Sequence, residues 1–186
     1  MILRCTNKLL AVIGPALADP APAPDAEDWY ANLLWFDRRK CLLATHAGTL
    51  FTIFEANVTA SALRATGRLI TGLISRELRS EDLPPATFGI LDEQGLLLAK
   101  TADRSVLGCM NDMAFLCQHV IAGSGGLART DLADLNRSLR RNINSGRDYR
   151  PPVELAAAKA AHAGLAESRP EIVDAAAWSP AGRSRA

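Results

Sequence analysis

The 186-residue chain predicts an α+β fold. An antiparallel sheet of about five or six strands is packed with helices and followed by a helical C-terminal extension. Three apolar runs between residues 32 and 55 are separated by short polar turns, as in a meander of strands. Two later stretches, 59–79 and 103–121, repeat apolar residues at helical spacing. Beyond a glycine-rich joint, two further segments carry helix-start signals.

In chain order, MILRCT reads as a strand and NKLLAVI as a short helix, with Thr6 at its N-cap and Gly14-Pro15 as its stop. Arg4 and Lys8 ahead of LLAVIGPALA, with Ala16-Leu17-Ala18 behind, also resemble a secretory leader. The apolar run is short and broken, so the strand-and-helix reading is preferred. A cytoplasmic location follows as the expectation. Residues 15–28, PALADPAPAPDAED, read as a semi-rigid linker with polyproline character. The strands Asn32–Phe36, Lys40–Thr45 and Thr49–Glu55 come next. Asp37–Arg39 and His46–Gly48 form their turns. In the third run Phe51 and Ile53 oppose Leu50, Thr52 and Phe54, so helices should cover at least part of both sheet faces.

Residues 59–79 read as one helix capped by Thr59 or Ser61. Pro84-Pro85 forbids its continuation. Phe88–Asp92 and Leu96–Lys100 read as a second hairpin around Asp92–Gly95. The next helix, about 103–121, carries an apolar stripe of Val106, Met110, Met113, Cys117 and Val120. That stripe reads as core rather than as a cofactor box. AGSGGL (122–127) is a flexible joint. Thr130 then caps TDLADLNRSLRRNI, and Pro151-Pro152 open PPVELAAAKAAHAGLA. The organisation expected is an α+β domain over 1–122, a helical extension over 123–167 and a disordered tail over 168–186.

The apolar share of 48% and the charged share of 22% are ordinary for a globular chain. A net charge of +1 excludes a chain-wide polyanion binder. The charge is uneven, since residues 129–150 hold six arginines and three aspartates. Any affinity for nucleic acid must therefore come from local patches. Cys5, Cys41, Cys109 and Cys117 form no C-x-x-C pair and read as buried thiols. Cys117 and His119 share a helix but face different ways, so no metal site is expected. His46, His119 and His162 have no nucleophile elbow beside them, and no phosphate-binding glycine loop is present. No catalytic residue and no cofactor are assigned. No apolar run approaches the roughly 20 residues of a membrane span, so no membrane partner is expected.

Two basic segments are the candidate sites. Arg38, Arg39 and Lys40 form a charged turn that can grip phosphates, with Trp29, Tyr30 or Trp35 near enough to stack on a base. The plainer reading is a solvated hairpin tip whose charges keep sheet edges from pairing, and it carries more weight. Lys100-Thr101-Ala102-Asp103-Arg104 joins a strand to a helix. It offers either an anion site at the helix start or merely a capped terminus; the cap again outweighs the site. Asn111 lies on the same helix, in a row with Arg104 and Gln118.

Three islands in order, ILRCTNKLL, WYANLLWFDRRKCLL and KTADRSVLGCMNDMA, are similar to an uncharacterised bacterial domain-of-unknown-function family, number 6933. The matching positions are Cys5, Thr6, Lys8, Leu9 and Leu10; Trp29, Ala31, Asn32, Leu33, Arg38, Arg39 and Lys40; and Lys100, Thr101, Asp103, Arg104 and Asn111. Position 7, Asn here and Lys in the family pattern, departs. The resemblance covers about residues 1–121 and brings no assigned activity. Some relatives carry a second module like those of plasmids and insertion elements, which links them to mobile DNA by association only. The leading expectation is a non-enzymatic intracellular binding module for an anion, a nucleic acid or an acidic protein. Its candidate binding residues are Trp29, Asn32, Arg38, Arg39, Lys40, Lys100, Asp103, Arg104 and Asn111. The alternatives are a small enzyme with a cleft around Asp103, Arg104 and Asn111, and a component of a mobile-element or toxin–antitoxin system.

Overall fold

The computed structural model describes residues 1–14, 17–143 and 149–167; the tail expected over 168–186 lies outside them. Five strands form one sheet: β1 (Ile2–Cys5), β2 (Trp29–Phe36), β3 (Arg39–His46), β4 (Thr52–Glu55) and β5 (Leu97–Lys100). Their spatial order is β4-β3-β2-β1-β5. The fold is α+β, but the sheet is mixed rather than antiparallel. β3 runs antiparallel to β2 and β4, whereas β1 is parallel to both β2 and β5. Connectivity explains this. β1 reaches β2 through a helix and the proline-rich linker, and β5 follows two more helices. Such crossovers return the chain in the same direction.

The hairpin expected over Phe88–Asp92 and Leu96–Lys100 does not form; only β5 is a strand. After Pro84-Pro85 the chain makes tight turns, with Thr87 N–H donating to Pro84 O (3.0 Å) and Gly89 N–H to Ala86 O (2.9 Å). Gly89 takes φ +77°, which ends any extended run. Phe88 turns inward, edge-on to Trp29 and Phe51.

Helices cover both faces. On one lie α1 (Asn7–Ile13), α2 (Ala60–Arg64) and α3 (Thr66–Ser80), whose Leu9, Ile13, Leu63, Ile70, Ile74 and Leu78 meet Leu3, Trp29, Leu33 and Phe51. On the other lie α4 (Arg104–Gly123) and α5 (Leu132–Arg141), whose Val106, Met110, Met113, Cys117, Leu135 and Leu139 meet Tyr30, Cys41, Leu43 and Phe54. A last helix, α6 (Pro152–Glu167), buries Ala156 and ties Lys159 Nζ to Glu27 Oε1 at 2.5 Å.

The single helix expected over 59–79 is two. It breaks at Ala65, between the Thr59-capped α2 and α3. Directly after the break, the Glu93 carbonyl packs where a Cβ on Gly67 would sit, so only glycine fits there. Thr6 precedes α1 with extended backbone but makes no side-chain cap; its hydroxyl donates to Asn32 Oδ1 instead (2.9 Å). At α5 the cap is Asp131, not Thr130. Asp131 Oδ1 accepts from Ala133 and Asp134 N–H, while the Thr130 hydroxyl turns back to Gly126 O.

Buried polar side chains tie these layers together. Asn136 of α5 lies against β4, accepting from Phe54 N–H (2.7 Å) and donating to Phe54 O (2.9 Å). Arg140, 2% exposed, reaches Glu77 Oε2 (2.7 Å) and Glu81 Oε1 (2.8 Å) on and just after α3. Burial works against the Glu81 carboxylate, but Arg141 and Arg140 outweigh it and hold its pKa below the ordinary value. One arginine of residues 129–150, Arg140, is thereby spent inside the molecule, and Arg141 pairs with Glu81 from the surface.

Candidate functional site

β2 and β3 are joined by a two-residue turn, Asp37-Arg38, with φ +47° and +62°. Residues with positive φ match the twist of a tight hairpin, which is why Asn-Gly is the usual choice there. Arg38 and Arg39 are exposed and Lys40 half-buried. Arg39 Nη1 donates to the neutral Asn57 amide (2.9 Å), and Lys40 Nζ lies 4.8 Å from the Trp35 ring centroid. Among the described residues none of the three cations pairs with a carboxylate. The nearby carboxylate, Asp37, accepts from Leu127 N–H at 2.6 Å and so fixes the tip to the start of the α4–α5 connection.

The second basic segment lies elsewhere. Asp103 caps α4, its Oδ1 accepting from Ser105 N–H (2.7 Å) and Val106 N–H (3.3 Å), while its own N–H donates to the Tyr30 hydroxyl (3.2 Å). Lys100 and Arg104 are exposed. The far end of α4 leads to Leu127, at the basic tip. A 20-residue helix is about 30 Å long, so the two basic segments mark opposite ends of α4 rather than one pocket. Lys100 and Thr101 line a separate hollow of about 700 Å³, closed by residues 17–24. At its floor Arg4, 1% exposed, holds Asp28 at 2.5 Å and the carbonyls of Pro22 and Ala23 at 2.8 Å, strapping the proline-rich segment to the sheet.

Trp29 is not a stacking platform. It is fully buried, directly opposite His46 and edge-on to Phe88. Asn32 is half-buried and accepts from Thr6. Asn111 does line a groove, of about 440 Å³, but it shares it with Leu34, Trp35, Phe36, Ala114, Phe115 and Gln118, not with Asp103 or Arg104. Trp35 is 56% exposed and Phe115 71%. The position of Phe115 is readable from its place four residues after Asn111. Its exposure beside a strand is not, because that depends on how α4 packs against β2.

β1 pairs with β2 only along Trp29–Ala31. The last bond is Thr6 N–H to Ala31 O (3.0 Å), after which the chain turns into α1. Residues 32–36 of β2 therefore have no strand partner on that side among the described residues. Backbone groups alternate sides along a strand, so those of Leu33 and Trp35 point the same way as Ala31 O; Leu33 is buried and Trp35 exposed. Side chains alternate too. Trp35 shares the face of Ala31 and Leu33, whereas Leu34, Phe36 and α4 lie on the other. At this end of β2 Trp35, with Lys40 over its ring, borders the groove that Asn111, Phe115 and Gln118 line from α4.

The titrating chemistry is inward. Burial pushes the Cys5 and Cys117 thiols up to about 12 and raises Cys41, so these are inert at neutral pH. His46 Nδ1 accepts from Thr49 N–H (3.2 Å), and its buried Nε2 faces Glu27 Oε2 at 3.8 Å, beyond hydrogen-bonding reach. Burial holds this imidazole below its ordinary pKa. His46, with Lys159 assisting, holds Glu27 at about 2. Among the described residues no three metal-binding side chains converge, and no helix is long and apolar enough to cross a membrane.

No curated protein and no solved structure matches the chain. A family model does, over residues 2–155. That span reaches past residue 121 to take in α5, which fits the packing of Asn136, Leu135 and Leu139 into the same core. The chain belongs to DUF6933, a family described as a domain of unknown function.

Proposed function

We propose that this protein is a non-enzymatic binding module acting inside the cell, and that it takes a negatively charged partner at the β2–β3 tip. One observation carries this reading: among the described residues Arg38, Arg39 and Lys40, consecutive in sequence, have no carboxylate partner. Several other arginines are matched to acids, as in Arg4–Asp28, Arg76–Glu55, Arg140–Glu77 and Arg141–Glu81. An L-residue other than glycine at φ +62° is itself unfavourable by about 1 kcal/mol, so Arg38 occupies this position at a backbone cost. Arg39 and Lys40 extend that charge along β3, and Asp37 holds the tip in one orientation, which lowers the ordering entropy on binding. Lys100 and Arg104, at the other end of α4, stand outside this site. A cleft enzyme built on Asp103 and Asn111 finds no support in their placement, since one caps α4 and the other lines the groove at β2.

The test is binding of oligothymidylate and of a polyglutamate peptide by the full chain across a salt series, beside Arg38→Ala/Arg39→Ala. The expected result is weaker binding in the double variant. For the oligonucleotide, the dependence of log K on log salt should be shallower by roughly 0.7 for each phosphate that the variant no longer neutralises. Equal affinities and slopes for the two proteins with both probes would remove the tip from consideration.

A further inference from the structure

Resting on that reading, we infer that the partner is a single-stranded nucleic acid, with its phosphates at the β2–β3 tip and its bases in the groove between β2 and α4. The groove reaches Phe36, one residue before the turn that carries Arg38, so groove and tip form one continuous surface. Its α4 wall presents Asn111, Phe115 and Gln118, which share a helix face because they follow one another by four residues and then by three. From Asn111 to the end of α4 at Gly123 is about 18 Å. Phe115 and, at the groove's border, Trp35 are both mostly exposed, and Lys40 over the Trp35 ring steadies it. Aromatic rings along a groove, with cations to follow the backbone, are what successive bases stack on. The two amides flank Phe115. Among the described residues neither is hydrogen-bonded to the protein. Each carries donors and an acceptor, the chemistry that reads the edge of an unstacked base.

Ring chemistry and burial separate this partner from an acidic peptide. The face of an aromatic ring is the negative part of its quadrupole, so a carboxylate gains nothing by lying on Phe115 or Trp35, whereas a base stacks on either. Strand addition is also denied to a peptide, because Leu33 is buried and β2 lacks a run of accessible main-chain groups. An acidic peptide therefore engages the cations alone and leaves the groove unfilled. A second copy of the chain docked by this face would bring three more cations against the first three. None of the described residues lining the groove is charged, so no carboxylate there repels a phosphate chain.

The experiment measures binding of the full chain to fluorescein-labelled oligothymidylate, to an abasic strand of equal length and to polyglutamate, each across a salt series. Oligothymidylate should bind about tenfold more tightly than the abasic strand, which keeps the phosphates and lacks the bases. Phe115→Ala and Trp35→Ala should each weaken oligothymidylate binding about tenfold, while leaving its salt slope and the affinity of the abasic strand unchanged. Phe115→Tyr, which keeps a ring, should bind as the unaltered protein does; circular dichroism verifies that all three variants fold. Equal binding of the two strands, both weakened by Arg38→Ala/Arg39→Ala, would overturn the seating of bases in the groove and leave the binding-module reading standing. Polyglutamate bound and oligothymidylate not bound would overturn it in favour of an acidic protein. A concentration-dependent dimer that Phe115→Ala dissolves and oligothymidylate does not would overturn it in favour of self-association. If no probe binds, both readings fail.

Discussion

Arg38 is where stability and binding pull apart. Its φ of +62° suits glycine, and a glycine there relieves the clash between Cβ and the carbonyl that an L-residue suffers in the left-handed region. Arg38→Gly should raise the unfolding free energy by about 0.5–1 kcal/mol in urea titration, while weakening the binding of an acidic probe. A destabilised Arg38→Gly would mean that the side chain holds the turn rather than a partner. Asp37 beside it shows how little of a residue's role is visible from its type. By sequence it is one turn residue among several. Its partner, Leu127 N–H, lies 90 positions along the chain, and no local pattern encodes that distance. The same holds for Asn32, spent on Thr6, and for Trp29, which lies in the core although the exposed Trp35 is the same residue type on the same strand.

At the level of elements, local chemistry is a good guide wherever an end is set by nearby atoms. Gly14 closes α1 in the left-handed conformation, Asp103 caps α4, and Pro151-Pro152 open α6 as expected. At α5 two adjacent residues compete for the cap, and Asp131 takes it because the Thr130 hydroxyl is committed to Gly126 O. Asp131→Ala should therefore cost about 1 kcal/mol, whereas Thr130→Ala should cost less; a larger loss from Thr130→Ala in thermal melts would refute the assignment. Strand pairing is less legible. The strand–helix–strand order at the N-terminus implies a parallel crossover, but the apolar run at Phe88–Asp92 suggests a local partner for β5. Its actual partner, β1, lies about 95 residues away, and pairing at that separation is decided by the whole core rather than by a turn. For the same reason the end of the β1–β2 pairing at Ala31 cannot be read from sequence. It is there because β1 ends at Cys5, and nothing local to β2 records that.

Across the whole molecule, acid should loosen the fold in two stages. His46 has a folded pKa below its ordinary 6.5, because protonation must charge a buried ring and displace the Thr49 N–H bond from Nδ1. A depressed pKa means that the unfolded chain binds the proton first. Stability is therefore complete above about pH 6.5 and declines as the pH falls through 6.5 toward the folded value. Glu27, held at about 2 against an ordinary 4.5, adds a second loss between those values as its carboxylate is protonated away from His46 and Lys159. Melting temperature measured from pH 8 to pH 3 should show both declines, and His46→Gln should abolish the first. A profile that rises as the pH falls below 6.5 would mean that the imidazole is charged in the native state. The acid-sensitive contacts join β3, the strap before β2 and α6, so the first region to loosen lies away from the basic tip.

The Asn136 amide has a consequence for self-assembly. By accepting from Phe54 N–H and donating to Phe54 O, it occupies the main-chain groups through which another chain's strand would dock on β4. A sheet with two receptive rims polymerises, because each added strand presents a fresh rim to the next. With Phe54 stoppered by a side chain, β4 offers no such rim, and the sheet is closed to growth on that side.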